Sequence, residues 1–327
     1  MSIDERLLKY DKFILDKMPK KVSYDNIPPN LKRYFITENN KISISSFTKI
    51  KSIDNIKPEL IKNCVFLLLF ETDDEYLYHL DKIIKNDGKF TVFKIHDKHF
   101  KEHNYMWTNN LALKTFNDVL LLNNDYFSKK IFKEKEMLQT LIQCIEITKD
   151  VEGDYLEIGV LLGSSACMGL TYMQNANIKR KSYFLDTYEG FNYNEASTSA
   201  DLHWNNTHKY GEANDIIKQI TNNLSHIKNN NFKLIRNNIC NDDLPKDIKK
   251  IALANIDVDM LEAVESALQK VAPLIARKGI IICEDATSVP GLIGAYYAMD
   301  QFLKTELGKK FIKLYLKSQY VLIKVDD

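Results

Sequence analysis

Hydrophobic and polar positions along the chain change period several times, and each change marks an element. In NCVFLLLFETDDEYLYHLDKIIKNDGKFTVFKIHD, residues 63–97, the unbroken run Val65 to Phe70 reads as a buried strand. Tyr76, Leu77, Leu80, Ile83 and Ile84 then fall on one helical face, Gly88 supplies a stop, and Thr91 to Ile95 reads as a second strand. This is a β-α-β unit. KEKEMLQTLIQCIEITKD, 133–150, has helical period, with Leu138, Leu141, Ile142 and Ile145 on one face. Strict alternation follows: strand YLEIGV and a helix from Ser164; strand SYFLD, ending at Asp186, and helix DIIKQITNNL; strand FKLIR; strand IALANIDVD and helix LEAVESALQKVAPLI. Strand GIIICED comes next and, after Pro290-Gly291, helix LIGAYYAMDQFLKTEL with Gly308 just past its end. Alternating strands and helices predict a parallel sheet with helices on both faces. The chain finishes differently: KFIKLYL and YVLIKV are separated by too few residues for a parallel crossover, which predicts an antiparallel hairpin.

At 327 residues the chain exceeds one typical core, so two domains are expected. Residues 1–130, whose first 60 or so are lysine-rich and broken by Pro28-Pro29, form a smaller N-terminal α/β domain. It carries no glycine-rich turn and no acid cluster, which suits docking or oligomerisation. Residues 131–327 form the second domain. Forty-five basic residues against 44 acidic ones leave no basic field for nucleic acid. Cys64, Cys144, Cys167, Cys240 and Cys283 form no CxxC pair and stand at no zinc-ligand spacing, so they read as small buried residues of a reducing compartment. The charged start MSIDERLLKYDKF lacks the apolar core of a secretory signal, and Val65 to Phe70 is far short of the ~20 residues that span a bilayer. A cytoplasmic protein without a membrane segment is expected.

The second domain opens on DYLEIGVLLGSSA, 154–166. Ligands of open α/β sheets bind beyond the carboxyl ends of the strands, where strand order reverses, and the turn from Gly159 to Ser165 sits there. Gly159 permits a sharp turn and Gly163 a close backbone approach at the next helix N-terminus. Ser164 and Ser165 add hydroxyl and amide donors suited to a carboxylate. The spacing is G-x-x-x-G rather than the dinucleotide pattern G-x-G-x-x-G, and the strand carries its own acid, Glu157. A pyrophosphate would be repelled by that carboxylate; an ammonium group would be attracted. S-adenosylmethionine offers an ammonium, a carboxylate, a sulfonium and a ribose. Asp186, at the end of the next strand, suits the ribose hydroxyls. Farther on, IDVD supplies Asp257 and Asp259, and CED supplies Glu284 and Asp285. Adjacent parallel strands bring these ends into one crevice, where three oxygen ligands suit Mg²⁺. Asp259 alternatively caps the following helix.

The terminal hairpin, LEIGVLLGSSA and FLDTYEGF resemble the class I S-adenosylmethionine-dependent methyltransferases, so a Rossmann-like sheet is expected. GDYLEIGVLLGSSA, LDTYEGF, NDDLP, NIDVDMLEAVESALQKVAPLIARKGIIICED and PGLIGAYYAMDQF are similar to the macrocin O-methyltransferase family over about 133–327. That resemblance implies metal-dependent methylation of sugar hydroxyls, with Asp257, Glu284 and Asp285 as the metal ligands, and homo-oligomerisation. The spacing E-x-G-x-x-x-G-x-S is also that of catechol-type O-methyltransferases, which implies that Ser165 contacts the methionyl carboxylate and that Cys240, Asn241 and Asp242 of NNICNDDLP face the adenine. Asp257 belongs to the cofactor-binding candidates as well. Two departures stand out. Glu284 replaces the usual Asp, keeping the carboxylate, and Met260, Leu261, Glu262 and Ala263 replace the usual Tyr and Glu-Ser, which leaves the acceptor open.

Between Asp186 and the next helix lies TYEGFNYNEASTSADLHWNNTHKYGEAN, long enough to be functional. The family resemblance implies a histidine base in this region: His203, or alternatively His208. Asp257 could instead take the hydroxyl proton. Tyr188, Tyr193 and Trp204 are candidates for stacking on a sugar ring. The expected function is Mg²⁺-dependent methyl transfer from S-adenosylmethionine to a hydroxyl of a sugar or glycosylated small molecule. The alternative is a non-catalytic S-adenosylmethionine-binding module acting through a protein partner.

Overall fold

A computed structural model of the chain describes residues 30–36, 47–70, 73–94, 109–122, 135–228, 231–284, 286, 293–316 and 319–326. Pro28-Pro29, Ile95, Asp285 and Pro290-Gly291 lie outside the described residues. The chain divides into two compact units.

The first unit draws on described residues of Met1–Asp97 together with Ala196–Thr207. Its sheet comprises β1 (Lys32–Ile36), β2 (Thr48–Ile50), β3 (Cys64–Phe70) and β4 (Lys89–Lys94), in the order β2-β1-β3-β4 and parallel throughout. A short helix α1 (Pro58–Ile61) precedes β3, and α2 (Asp73–Lys85) follows it, burying Leu80 and Ile83. The expected β-α-β unit is therefore β3-α2-β4. Two more strands lie in the polar stretch before it. Gly88 turns the chain out of α2, donating its N–H to the Ile83 carbonyl at 2.8 Å. Residues 196–207, expected in a loop beside the catalytic crevice, belong to this unit. The Phe90 N–H of β4 donates to the Ala200 carbonyl at 3.2 Å, and Lys89 Nζ donates to the Thr198 carbonyl at 2.7 Å. Ala200, Leu202, His203 and Trp204 are all buried.

The second unit takes Lys98–Glu195 and His208–Asp327. It begins well before residue 131, because α3 (Asn110–Leu122) packs against a later helix, with Asn175 Nδ2 donating to Thr115 Oγ1 at 3.0 Å. Then come α4 (Lys135–Ile147), β5 (Asp154–Ile158), α5 (Ser164–Asn175), β6 (Ser182–Asp186), α6 (Asn194–Thr198), whose residues from Ala196 on count with the first unit, α7 (Ala213–Asn223), β7 (Phe232–Arg236) and β8 (Ile251–Ile256). The last elements are α8 (Leu261–Val271), β9 (Ile275–Cys283), α9 (Ile293–Leu303), β10 (Phe311–Leu316) and β11 (Gln319–Lys324). The seven-stranded sheet runs β10-β11-β9-β8-β5-β6-β7, parallel from β9 to β7, with the terminal hairpin antiparallel as expected. Every residue of β8 is buried, as befits a central strand covered on both faces. The face of α4 made by Leu138, Leu141, Ile142 and Ile145 joins the core with Tyr155 of β5. From β5 the chain winds outward to β6 and β7, then returns to β8 on the other side. The order reverses between β5 and β8, which creates the crevice that α/β folds use for ligands.

Candidate active site

The crevice is closed at its floor by backbone. The Asp257 N–H donates to the Ile158 carbonyl at 2.8 Å and the Glu284 N–H to the Ile256 carbonyl at 3.0 Å, so the ends of β5, β8 and β9 lie side by side. Gly159 turns there at φ +88°, and a Cβ on it would sit 1.8 Å from the Asp257 carbonyl oxygen. Only glycine fits that junction. Gly163, at φ +82°, precedes the first residue of α5, and its missing Cβ would lie 2.9 Å from Ile220 Cγ2. Leu161 between them also has positive φ, at +51°.

Asp186 holds this turn in shape. Its Oδ2 accepts from the Val160 and Leu161 N–H groups at 2.6 and 2.8 Å, and its Oδ1 accepts from the Tyr188 N–H at 2.7 Å. A carboxylate has about four lone-pair sites, so backbone amides occupy most of them. Asn237 follows the neighbouring strand and donates its N–H to the Asp186 carbonyl at 2.8 Å.

Beneath the turn lies a buried polar row on one sheet face. Glu157 pairs in register with Asn255. Glu157 Oε1 accepts from Ser165 Oγ at 2.5 Å and Oε2 accepts from Tyr155 OH at 2.6 Å. Asn255 Nδ2 donates to Glu284 Oε1 at 2.6 Å. Glu157 and Asn255 are 0% exposed and Glu284 is 2% exposed. Burial raises the Tyr155 phenol well above its ordinary pKa, and the charges of Glu157, Glu284 and Asp257 add to that shift, so the phenol remains a proton donor. Tyr155 and Asn255 were not singled out from the sequence. The one available signal was their two-residue spacing from Glu157 and Asp257 on alternating strands.

Glu157, Asp186, Asp257 and Glu284 stand at or beside the ends of β5, β6, β8 and β9. Among the described residues, no three His, Cys, Asp or Glu side chains form a metal-binding group, and Asp285 lies outside them. Ser164 opens α5, while Ser165 is buried against Glu157. In the stretch after β7, Asn241 Nδ2 donates to Glu195 Oε1 at 2.8 Å, and Asn238 Nδ2 to Glu195 Oε2 at 3.1 Å. The half-buried Cys240 thiol is pushed up to about 11, by burial first and then by Glu195 and Glu262, so it is neutral at physiological pH. The two histidines belong to different units. His208, in the second unit, has φ +57° and stacks edge-on against Phe191 at 4.8 Å. His203, in the first unit, is 1% exposed, and burial together with the Arg33 charge lowers its pKa to about 4. Tyr193 OH points to Met260 Sδ at 3.7 Å, beside the position where the aromatic residue is missing.

A family model for Macrocin-O-methyltransferase (TylF) matches residues 130–309. The chain belongs to the macrocin-O-methyltransferase family. It is an S-adenosylmethionine-dependent O-methyltransferase. The match covers the crevice from the helix before β5 to the end of α9 and leaves out the first unit's sheet. Among solved structures, the O-methyltransferase NovP aligns at 16% identity over 58% of this chain and 80% of its own, with a TM-score of 0.50. CalS11, a calicheamicin methyltransferase, aligns at 16% identity over 71% of this chain and 99% of its own, with a TM-score of 0.46. At 16% identity the likeness to NovP is one of fold. Comparison with curated protein sequences gives no match. Among the described residues, no helix of this family member is long and apolar enough to cross a membrane.

Proposed function

We propose that the enzyme is a Mg²⁺-dependent methyltransferase acting on a hydroxyl of a sugar or glycosylated small molecule in the cytoplasm. The observation that carries this reading is the placing of Glu157, Asp186, Asp257 and Glu284 at or beside the ends of neighbouring strands around the Gly159 turn, within the region matched by the family. Glu157 faces the cofactor's ammonium, and the N-terminus of α5 with Ser164 serves its carboxylate, while the buried Ser165 hydroxyl is committed to Glu157. Asp186 has most of its acceptor capacity committed to the turn, so it offers the ribose one contact rather than a bidentate pair. Asn241 and the neutral Cys240 line the adenine end.

The donor set suits a hard cation. Asp257 and Glu284 follow adjacent strands, so their carboxylates would supply two oxygen ligands, and Asp285, next in sequence, would supply the third. Mg²⁺ held there would lower the acceptor hydroxyl's pKa and fix its oxygen toward the sulfonium methyl. Asp257 or His208 takes the hydroxyl proton; the buried His203 is assigned to packing in the first unit. That unit serves oligomerisation.

The test is turnover of S-adenosylmethionine by full-length protein against a panel of nucleotide sugars and glycans. Asp285→Ala is expected to abolish turnover, with S-adenosylhomocysteine affinity kept within about twofold. Chelation should abolish turnover and added Mg²⁺ restore it. Normal turnover by Asp285→Ala would contradict the metal assignment.

A further inference from the structure

Glu157 poses a physical problem. It is a carboxylate, it is 0% exposed, and the strand around it is buried between apolar layers. An ionised carboxylate is held in such a place only with strong donors. Ser165 was expected to face the ligand, yet it is 1% exposed and donates to Glu157 Oε1. The other oxygen is met from the same strand. Side chains two apart on a strand share a face, so Tyr155 lies below Glu157 and its hydroxyl reaches Oε2 at 2.6 Å. The Tyr155 ring is fixed in turn. Phe184 of β6 packs on it edge-to-face at 5.7 Å and 84°.

We infer that Tyr155 is a positioning residue for the cofactor. Together with Ser165 it holds the Glu157 carboxylate charged and aimed, so that an ammonium group in the crevice meets a preformed anion. The inference rests on the proposed pairing of Glu157 with that ammonium. Tyr155 itself touches no substrate. Burial keeps its phenol protonated. The hydroxyl is thereby confined to donating.

The test is calorimetric titration of the full-length protein with S-adenosylhomocysteine between pH 6 and 8, comparing wild type, Tyr155→Phe, Ser165→Ala and Glu157→Gln. Tyr155→Phe keeps the ring and its packing. Hydrogen bonds to charged groups are strong enough that its loss should weaken binding about tenfold or more. The weakening should grow as pH falls, because a buried carboxylate deprived of a donor takes up a proton more readily. A purely structural role would lower the melting temperature without moving the pH dependence. Ser165→Ala removes the other donor and should show the same pH signature, which covers the case of a poorly folding Tyr155→Phe. If Tyr155→Phe binds as wild type at every pH while Glu157→Gln has lost binding, the inference is overturned and the cofactor reading stands. If Glu157→Gln also binds as wild type, that reading falls and the inference with it.

Discussion

Gly159→Ala is the sharpest perturbation available at the crevice. Two costs combine. A residue with a Cβ at φ +88° pays roughly 1 kcal/mol or more for the left-handed conformation. The added carbon would also sit 1.8 Å from the Asp257 carbonyl oxygen. Closest approach for such a pair is about 3.0 Å, so the ends of β5 and β8 would have to part by roughly 1.2 Å, against densely packed neighbours. Neither partner can swing aside, since both are backbone. That backbone also carries the 2.8 Å hydrogen bond from the Asp257 N–H to the Ile158 carbonyl. A loss of at least ~3 kcal/mol is expected, in the range of severe core changes. For a unit of about 200 residues this lowers the melting temperature by roughly 6–12 °C. Calorimetry should find no S-adenosylhomocysteine binding, because Glu157 and Asp257 flank the displaced junction. Gly163→Ala is the milder comparison: φ is similar, but the clash is 2.9 Å with the Cγ2 methyl of Ile220 instead of 1.8 Å with backbone. It should cost about 1–2 kcal/mol and retain binding. Wild-type melting and binding by Gly159→Ala would refute this reasoning.

Three further outcomes follow from other contacts. Asn255→Leu leaves Glu284 without its 2.6 Å amide donor in a buried site and should destabilise the protein by ~1.5–3 kcal/mol in urea titrations; an unchanged midpoint would contradict that. His203 is held neutral, with a pKa lowered from 6.5 to about 4, so the unfolded state binds the extra proton. Its contribution to stability is full above pH 6.5 and is lost as pH falls toward 4, by a few kcal/mol at most; His203→Gln should flatten that part of the pH–stability curve, and an unchanged slope would contradict the assignment. Lys270 Nζ donates to the Ile239 and Asp242 carbonyls at 2.6 and 2.8 Å, so Lys270→Met should loosen the 238–242 turn and raise hydrogen exchange there, whereas wild-type protection would contradict that coupling.

The sequence pattern was most informative where burial is two-sided. β5, β6 and β8 appear in the sequence as short apolar runs, and their ends place Glu157, Asp186 and Asp257 because parallel strands end together. It failed where local chemistry overrode the pattern. β1 and β2 hide in a lysine-rich stretch, since KRYFI and TKI are short and partly exposed. α9 stops at Leu303 rather than Leu307. Thr305 Oγ1 donates to the Phe302 carbonyl at 2.7 Å and accepts from the Gly308 N–H at 3.0 Å, folding the chain back. β9 starts at Ile275, ahead of the expected Gly279, because the charged pair Arg277-Lys278 interrupts its apolar run at a bulge with Lys278 at φ +65°.

Parts of the site were hidden for a different reason. The bonds from Asp186 to the Val160 and Leu161 amides depend on the backbone shape of the turn, including a positive φ at Leu161 that no residue type announces. The placement of His203 depends on residues 196–207 joining the edge of β4, a pairing across more than a hundred residues. Such contacts leave no periodic trace in the chain.

The most direct test of the central claim is calorimetric titration of the purified full-length protein with S-adenosylhomocysteine, with and without Mg²⁺. Binding in the micromolar range is expected in both conditions, since Glu157, Asp186 and the Gly159 turn meet the cofactor without the metal. No binding in either condition would contradict the assignment of this crevice to S-adenosylmethionine.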